Sequence, residues 1–206
     1  MKEYIIHGTT DKNLINILKS EYIEANIDKK KEGMLVKSQA VNQIFTQLLY
    51  RNLPNENIQI PHWFNCCIVL DKKILKDYPF YATHIGGFYD TFSDAFAKDA
   101  KDIYVKSNGN LKKIPNLKKL KIHIEKNHDK MATIAFIHSH EILFDKKISL
   151  KKYCKCILYR NDITNIIPKN IIDMAQNLKI PIKHYRNSIE FVGYGLNNFI
   201  DLIESE

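Results

Sequence analysis

The segment 138-HSHEILFDKKISL-150 decides how this chain reads. Side chains alternate along a strand, so over 139–144 Ser139 and Glu141 share one face, while His140, Ile142 and Phe144 share the other. A glutamate that opens an apolar strand is badly placed for packing. At the rim of a cleft, its carboxylate can bind a ribose diol or steady developing positive charge. The alternative is an exposed edge-strand glutamate. A lysine-rich connection leads on to a second apolar strand, predicted over 153–159.

Working outward, 3-EYIIH-7 has the pattern of a short buried strand that stops at Gly8. Thr10 or Asp11 then suits the N-cap of a helix from about residue 12, with Leu14, Ile17 and Leu18 on one face. His7-Gly8-Thr9 is therefore a compact polar corner. Its glycine lets a ligand approach the backbone closely, and its histidine offers a ring nitrogen to a hydroxyl. A strand end followed by an N-cap is the structural alternative. Val41, Ile44, Phe45, Leu48 and Leu49 fall at helical spacing and predict a helix over 38–52, ended by Pro54. The middle reads as a strand over 64–70, a turn or short helix over 71–75 and an extended stretch over 78–84, broken by Gly86-Gly87. A helix over 93–100, a strand over 102–106, a turn at 108–110 and a basic helix over 116–127 follow. In the tail, Pro168 suits the first turn of a helix reaching 178. A strand over 180–185 and a final amphipathic helix come next. The class is α+β with a mixed or antiparallel sheet. Residues 1–160 form the main domain, and 161–206 a C-terminal α/β extension packed on it.

At 206 residues and 45% hydrophobic content, the chain can build one well-cored domain. It lacks an apolar run near the roughly 20 residues needed to span a bilayer, and MKEYIIHG lacks the features of a secretory signal. An intracellular protein of the cytoplasm or nucleus, with no membrane partner, is expected. Cys66-Cys67 and Cys154-x-Cys156 are too close within each pair to bridge comfortably. They read as buried, reduced thiols in strands, with zinc held by both pairs as the alternative. The net charge of +8 rests on lysine, for Arg51, Arg160 and Arg186 are the only arginines. Specific nucleic-acid readers favour arginine, so the lysine-dense stretches 29–31 and 111–121 read as solvated faces with a weak attraction for acidic partners. Abundant Lys, Ile and Asn suit an AT-rich coding genome, as in many parasites and large DNA viruses.

Together, the two segments around His7 and Glu141 resemble the ADP-ribosyltransferases of the diphtheria-toxin and poly(ADP-ribose)-polymerase type, named for a His-Tyr-Glu triad. In that family the first strand ends in His-Gly-Thr or His-Gly-Ser, followed by a helix of the form "NL..IL..GY". Asn13-Leu14, Ile17-Leu18 and Glu21-Tyr22 match that layout, with Glu21 where glycine is usual. The family's glutamate opens a late strand in contexts such as "HEILF…ISL..Y", matched by His140 to Tyr153. The resemblance covers roughly 4–25 and 136–160. It implies a split mixed or antiparallel sheet core with flanking helices, and NAD as a substrate. His7 would bind the adenosine ribose, Gly8 would hold the nicotinamide carboxamide through its backbone, and Thr9 would support the turn. Glu141 would bind the nicotinamide ribose and stabilise the oxocarbenium-like transition state. Tyr89, within Phe88-Tyr89-x-x-Phe92-Ser93, is the first candidate for the triad tyrosine, and Tyr81 the second. The implied activity moves ADP-ribose to a macromolecular acceptor, protein or nucleic acid, with release of nicotinamide. The arginine-type subgroup is set aside, because no arginine precedes residue 51 and Ser139 stands where a second acid would be.

Two rival readings stay open. His138-x-His140, completed by His84 or a remote carboxylate, has the spacing of a metal pair on one strand face. Alternatively, the chain is a catalytically degenerate, basic scaffold that binds nucleotide.

Overall fold

Glu3–Thr9 (β1) lies in the middle of the sheet, paired on both edges, and its apolar run Tyr4-Ile5-Ile6 is buried on both faces. The computed structural model describes residues 2–25, 44–51, 65–83, 112–113, 118–119, 121–122, 141–160, 166–185 and 196–205; at 81–83, 112–113, 141 and 196–198 it describes the backbone. In chain order the further strands are Tyr22–Ile23 (β2), Ile44–Tyr50 (β3), Cys66–Asp71 (β4), Tyr81–Thr83 (β5), Lys112–Lys113 (β6), Glu141–Phe144 (β7), Ile148–Ser149 (β8), Cys154–Arg160 (β9) and Ile182–Tyr185 (β10). The helices are Asp11–Ser20 (α1), Ile74–Asp77 (α2), Leu150–Tyr153 (α3), Lys169–Asn177 (α4) and Leu196–Glu204 (α5). Eight strands form one sheet in the order β10-β9-β4-β1-β3-β7-β5-β6, and β2 pairs with β8 separately. Only β10 on β9 is parallel among the described pairs. This is an α+β arrangement with a mixed, largely antiparallel sheet.

β1 runs two residues beyond the predicted stop. Gly8 and Thr9 continue the ladder opposite Cys67 and Cys66. Thr10 then takes the N-cap of α1, its side chain accepting from the Asn13 N–H (3.4 Å). Leu14, Ile17 and Leu18 are buried as predicted. The helix predicted over 38–52 is contradicted where the structure describes it, because 44–50 is a strand between β1 and β7. Its apolar residues sit at i, i+1, i+4 and i+5, a spacing that fits a helix. A central strand covered on both faces loses the alternation that would have identified it.

β7 and β9, consecutive strands of the sequence reading, are not neighbours. β3, β1 and β4 lie between them. The connection is long enough because it forms β8 and α3, and the Leu150 N–H donates to the Glu21 carbonyl (2.9 Å). From 161–206, α4 packs on α1, β10 extends one edge of the sheet and α5 lies against β3.

The two faces are covered by different helices. Tyr159 shares a cross-sheet row with Cys66 and Thr9, and its hydroxyl donates to Asp11 (2.9 Å). This places α1, with α4, over the face of Ile5, His7 and Thr9. Tyr4 donates to Glu204 (3.2 Å) and Arg51 pairs with Asp201, so α5 covers the face of Tyr4 and Ile6. Both layers are well filled: Ile5, Ile6, Ile68, Val69, Ile142, Phe144, Ile157 and Tyr159 are all buried. Lys118, Lys119, Lys121 and Ile122 are helical, within the predicted 116–127. The elements predicted over 93–110 lie outside the described residues. Among the described residues, no helix is long and apolar enough to cross a membrane.

Candidate functional site

The sheet forks beside His7. The β1–β3 ladder runs from Glu3–Tyr50 to Ile6–Gln47 and stops there. Beyond that row β1 stays paired with β4 through Thr9–Cys66, while β3 stays paired with β7 through Ile44–Phe144. One arm of the fork therefore carries His7-Gly8-Thr9, and the other carries Thr46, Phe45 and Ile44.

The phase of the ladder fixes what the first arm offers. In antiparallel strands the N–H and C=O of one residue turn to one neighbour, and those of the next residue to the other. The Arg160 N–H donates to the Asn65 carbonyl (2.8 Å). Asn65 and Cys67 therefore address β9, while Cys66 and Ile68 address β1. Their partners Thr9 and His7 turn back toward β4, which leaves Gly8 directing its N–H and C=O to the fork. This side-chain-free residue is the one whose backbone faces the opening.

The His7 ring reaches across the same gap. Its Nδ1 lies 2.8 Å from the Phe45 carbonyl oxygen. That oxygen can only accept, so Nδ1 carries the proton and a neutral ring presents Nε2 as an acceptor. Burial of the ring pushes the His7 pKa below its ordinary value, against the opposing pull of the Phe45 carbonyl. His7 is thus neutral at pH 7, with one nitrogen fixed and one available to a hydroxyl.

Thr9 is buried, and its carbonyl accepts from the Cys66 thiol (3.1 Å). The corner that follows is pinned by Asp11, whose carboxylate accepts from Asn65 (2.7 Å) and from Tyr159 (2.9 Å). Burial, then the Asp11 hydrogen bond and charge, push the Tyr159 phenol well up. It stays protonated and donating. Neither Asn65 nor Tyr159 stood out in the sequence, because the network joins three elements far apart in the chain.

Glu141 is the first residue of β7, in register with Gln47, which itself pairs with Ile6. Glu141 is therefore level with the base of the fork, two strand spacings or about 10 Å from β1. His7 lies one row further along, and successive rows of a regular strand belong to opposite faces. Tyr81 has a backbone position on β5 opposite Leu143, and Thr83 pairs with Glu141. Tyr89, His84, His138 and His140 lie outside the described residues.

The cysteines share two adjacent strands as unbonded thiols, Cys66, Cys67 and Cys156 buried and Cys154 half-buried. Burial raises all four thiol pKa values, that of Cys156 to about 12. No group of three or more His, Cys, Asp or Glu able to hold a metal occurs among the described residues. At the opposite end of β1, a cavity of about 490 Å³ is lined by Glu3, Tyr4, Asp71, Lys72, Lys155 and Lys183, among others. Its carboxylates are already paired, Glu3 with Lys72 and Lys121 (both 2.5 Å) and Asp71 with Lys155 (3.0 Å). Comparison with protein-family models, with curated proteins and with solved structures finds no match to this chain.

Proposed function

We propose that this chain is an NAD-dependent ADP-ribosyltransferase that transfers ADP-ribose to a macromolecular acceptor and releases nicotinamide. The observation that carries this reading is the fork. Gly8 directs a donor and an acceptor into it, and His7 bridges it with a neutral ring. Glu141 opens β7 level with its base. A carboxamide is a planar donor–acceptor pair, and a backbone N–H and C=O of one residue complement it. His7 Nε2 accepts from a ribose hydroxyl. Glu141 supplies negative charge where departure of nicotinamide leaves positive charge on the sugar, and a carboxylate fixed beforehand stabilises that transition state. Since His7 and Glu141 occupy adjacent rows, this reading requires NAD to lodge between the arms of the fork rather than lie on one face. Either Tyr81 or Tyr89 then stacks on the nicotinamide ring. The lysine-borne charge of +8 suits an acidic protein or a nucleic acid as acceptor.

The test is incubation with NAD labelled in the adenosine portion, alone and with protein and nucleic-acid fractions, following label transfer and free nicotinamide. Glu141→Gln should lower nicotinamide release by roughly 10²–10³-fold, the cost of removing one preorganised electrostatic contact, while the circular dichroism of the fold is unchanged. Absence of transfer, of nicotinamide release and of any NAD-dependent thermal shift in the unmutated chain would remove this function.

A further inference from the structure

At the end of β1 remote from the fork, the cavity of about 490 Å³ lies between the sheet and the last turn of α5. Tyr4 opposes Asp71, Val69 opposes Cys156 and Leu158 opposes Lys183, so these residues share the sheet face that α5 covers. Buried Tyr4, Cys156 and Ile203 supply the apolar part of the cavity, and Lys2, Lys72, Lys155 and Lys183 surround it. Lys155 reaches it through a bulge. Leu70 opposes Cys154 and Val69 opposes Cys156, which leaves Lys155 as an extra residue of β9. Neighbours on a regular strand point to opposite faces, yet Lys155 and Cys156 both line the cavity. A bulge re-aims a side chain in this way, and bulges gather next to functional sites.

The two carboxylates of the cavity are occupied in holding lysines. Glu3 is buried, with one oxygen on Lys72 and the other on Lys121 (both 2.5 Å). Asp71 accepts the Lys73 N–H (2.9 Å) on one oxygen and Lys155 (3.0 Å) on the other. Burial raises both carboxyl pKa values, but these hydrogen bonds and charges outweigh it, so both lie below the ordinary value and both groups stay ionised. Cationic charge is left over. Glu3 serves two lysines, and among the described residues Lys183 meets the carbonyls of Ile203 (3.1 Å) and Ser205 rather than a carboxylate.

We propose that this cavity binds a phosphate-bearing small molecule, its phosphate held by the surrounding lysines and its organic part by Tyr4 and Ile203. An ammonium has three donors, and one carboxylate contact uses one of them. Lysine binds phosphate as a point charge, and a doubly charged anion gains from each lysine in turn. A cation finds no such welcome, because both oxygens of Glu3 and of Asp71 already accept from nitrogen. The volume falls within the roughly 300–1,000 Å³ of small-molecule pockets, and the apolar part suits an ester rather than a bare anion. Tyr4 is four residues from Gly8, roughly 13 Å along the strand. The site is therefore separate from the fork and does not depend on the transferase reading.

The experiment titrates the full chain, labelled with ¹⁵N, with phenyl phosphate, inorganic phosphate and phenol at about 0.15 M salt, where distant exposed charges are screened. Phenyl phosphate should shift the backbone amides of 3–4, 71–72, 155–156 and 183, with a calorimetric Kd below about 1 mM. Inorganic phosphate should shift the same amides more weakly, and phenol should leave them in place. Lys155→Gln and Lys183→Gln should each weaken the ester by roughly three- to tenfold, the worth of a partly exposed charge-assisted hydrogen bond. Lys183→Arg, which keeps the charge, should stay within about threefold. Lys169→Gln, on the exposed surface of α4, should change nothing. If Lys183→Gln does not fold, the amide shifts of the unmutated chain and Lys155→Gln decide. Inorganic phosphate binding as tightly as the ester supports the anion site and overturns the role of its apolar part. Neither shift nor heat up to about 10 mM ester overturns the proposal. So does equal weakening by Lys169→Gln, which shows general attraction to a basic chain, and so do shifts confined to Gly8 and 44–46, which place the anion in the fork.

Discussion

Glu21 holds a conformation that its side chain disfavours, and the cost can be measured. It ends α1 with φ 61° and ψ 16°, in the left-handed region. A residue with a Cβ pays about 1–2 kcal/mol there. The surroundings demand it. The Glu21 carbonyl accepts from Leu150 (2.9 Å), and the next two residues, Tyr22 and Ile23, pair with Ser149 and Ile148. Relaxing Glu21 would break this docking of α1 onto β8 and α3. Glycine is free of the Cβ clash but loses about 0.5–1 kcal/mol more backbone entropy on folding. Glu21→Gly should therefore stabilise the chain by about 0.5–1 kcal/mol, or about 1–4 °C in Tm for a chain of this size. Glu21→Ala is the control, since it removes the charge and keeps the Cβ. It should stay near the unmutated chain, within about 0.3 kcal/mol, apart from the small gain of taking an acid off a helix C-terminus. Urea unfolding followed by far-ultraviolet circular dichroism gives both values. If the Gly variant is less stable than the Ala variant, the left-handed strain assigned to Glu21 is wrong.

His7 gives a pH signature with a definite sign. Its pKa is lowered in the folded chain, so just below pH 6.5 the unfolded chain takes up a proton that the folded one refuses. Stability should fall with acidification from that point down to the folded pKa, and His7→Gln should show a shallower fall than the unmutated chain in urea titrations at stepped pH. The three buried thiols, Cys66, Cys67 and Cys156, should react with a disulfide reagent only as fast as the chain opens, because burial keeps them protonated and covered. Rapid labelling of Cys66, Cys67 or Cys156 in the native protein, read by mass spectrometry, would contradict their packing.

What the sequence made legible is what local chemistry determines. Thr10 followed by apolar residues at helical spacing announces the cap and the buried face of α1. Pro168 marks the start of α4, and the unbroken Cys66–Leu70 run marks a doubly covered strand. β3 escaped because burial on both faces erased its period, and nothing within 44–50 reveals whether its neighbours are strands or solvent. The one local clue, Thr46 inside an apolar run, finds its use only once the pairing with β7 is known, where its hydroxyl donates to the Ile142 carbonyl. The fork is not legible at all, since it is a difference between two ladders, β1 with β4 and β1 with β3, each joining residues about 40 or more apart. His7 and Glu141 could be singled out as chemistry from the sequence, but their row positions could not.

Those rows make a sharper demand than the motifs do. His7 belongs to the face covered by α1, whereas the row of Ile6, Gln47 and Glu141 belongs to the other. A ligand lying flat on either face meets one of the two residues and misses the second. A ligand lodged between the arms can meet both, because the ladder that would have separated the faces ends at Ile6–Gln47. Binding of a non-hydrolysable NAD analogue, measured by calorimetry, separates the cases. Lodged in the fork, the analogue should lose about 2–10-fold in affinity with His7→Gln and similarly with Glu141→Gln, each the worth of about one hydrogen bond. The double variant should lose roughly the product, since the two positions are about 10 Å apart across β3. If one substitution weakens binding and the other leaves it untouched, the ligand sits on a single face, and His7 and Glu141 are not two poles of one site.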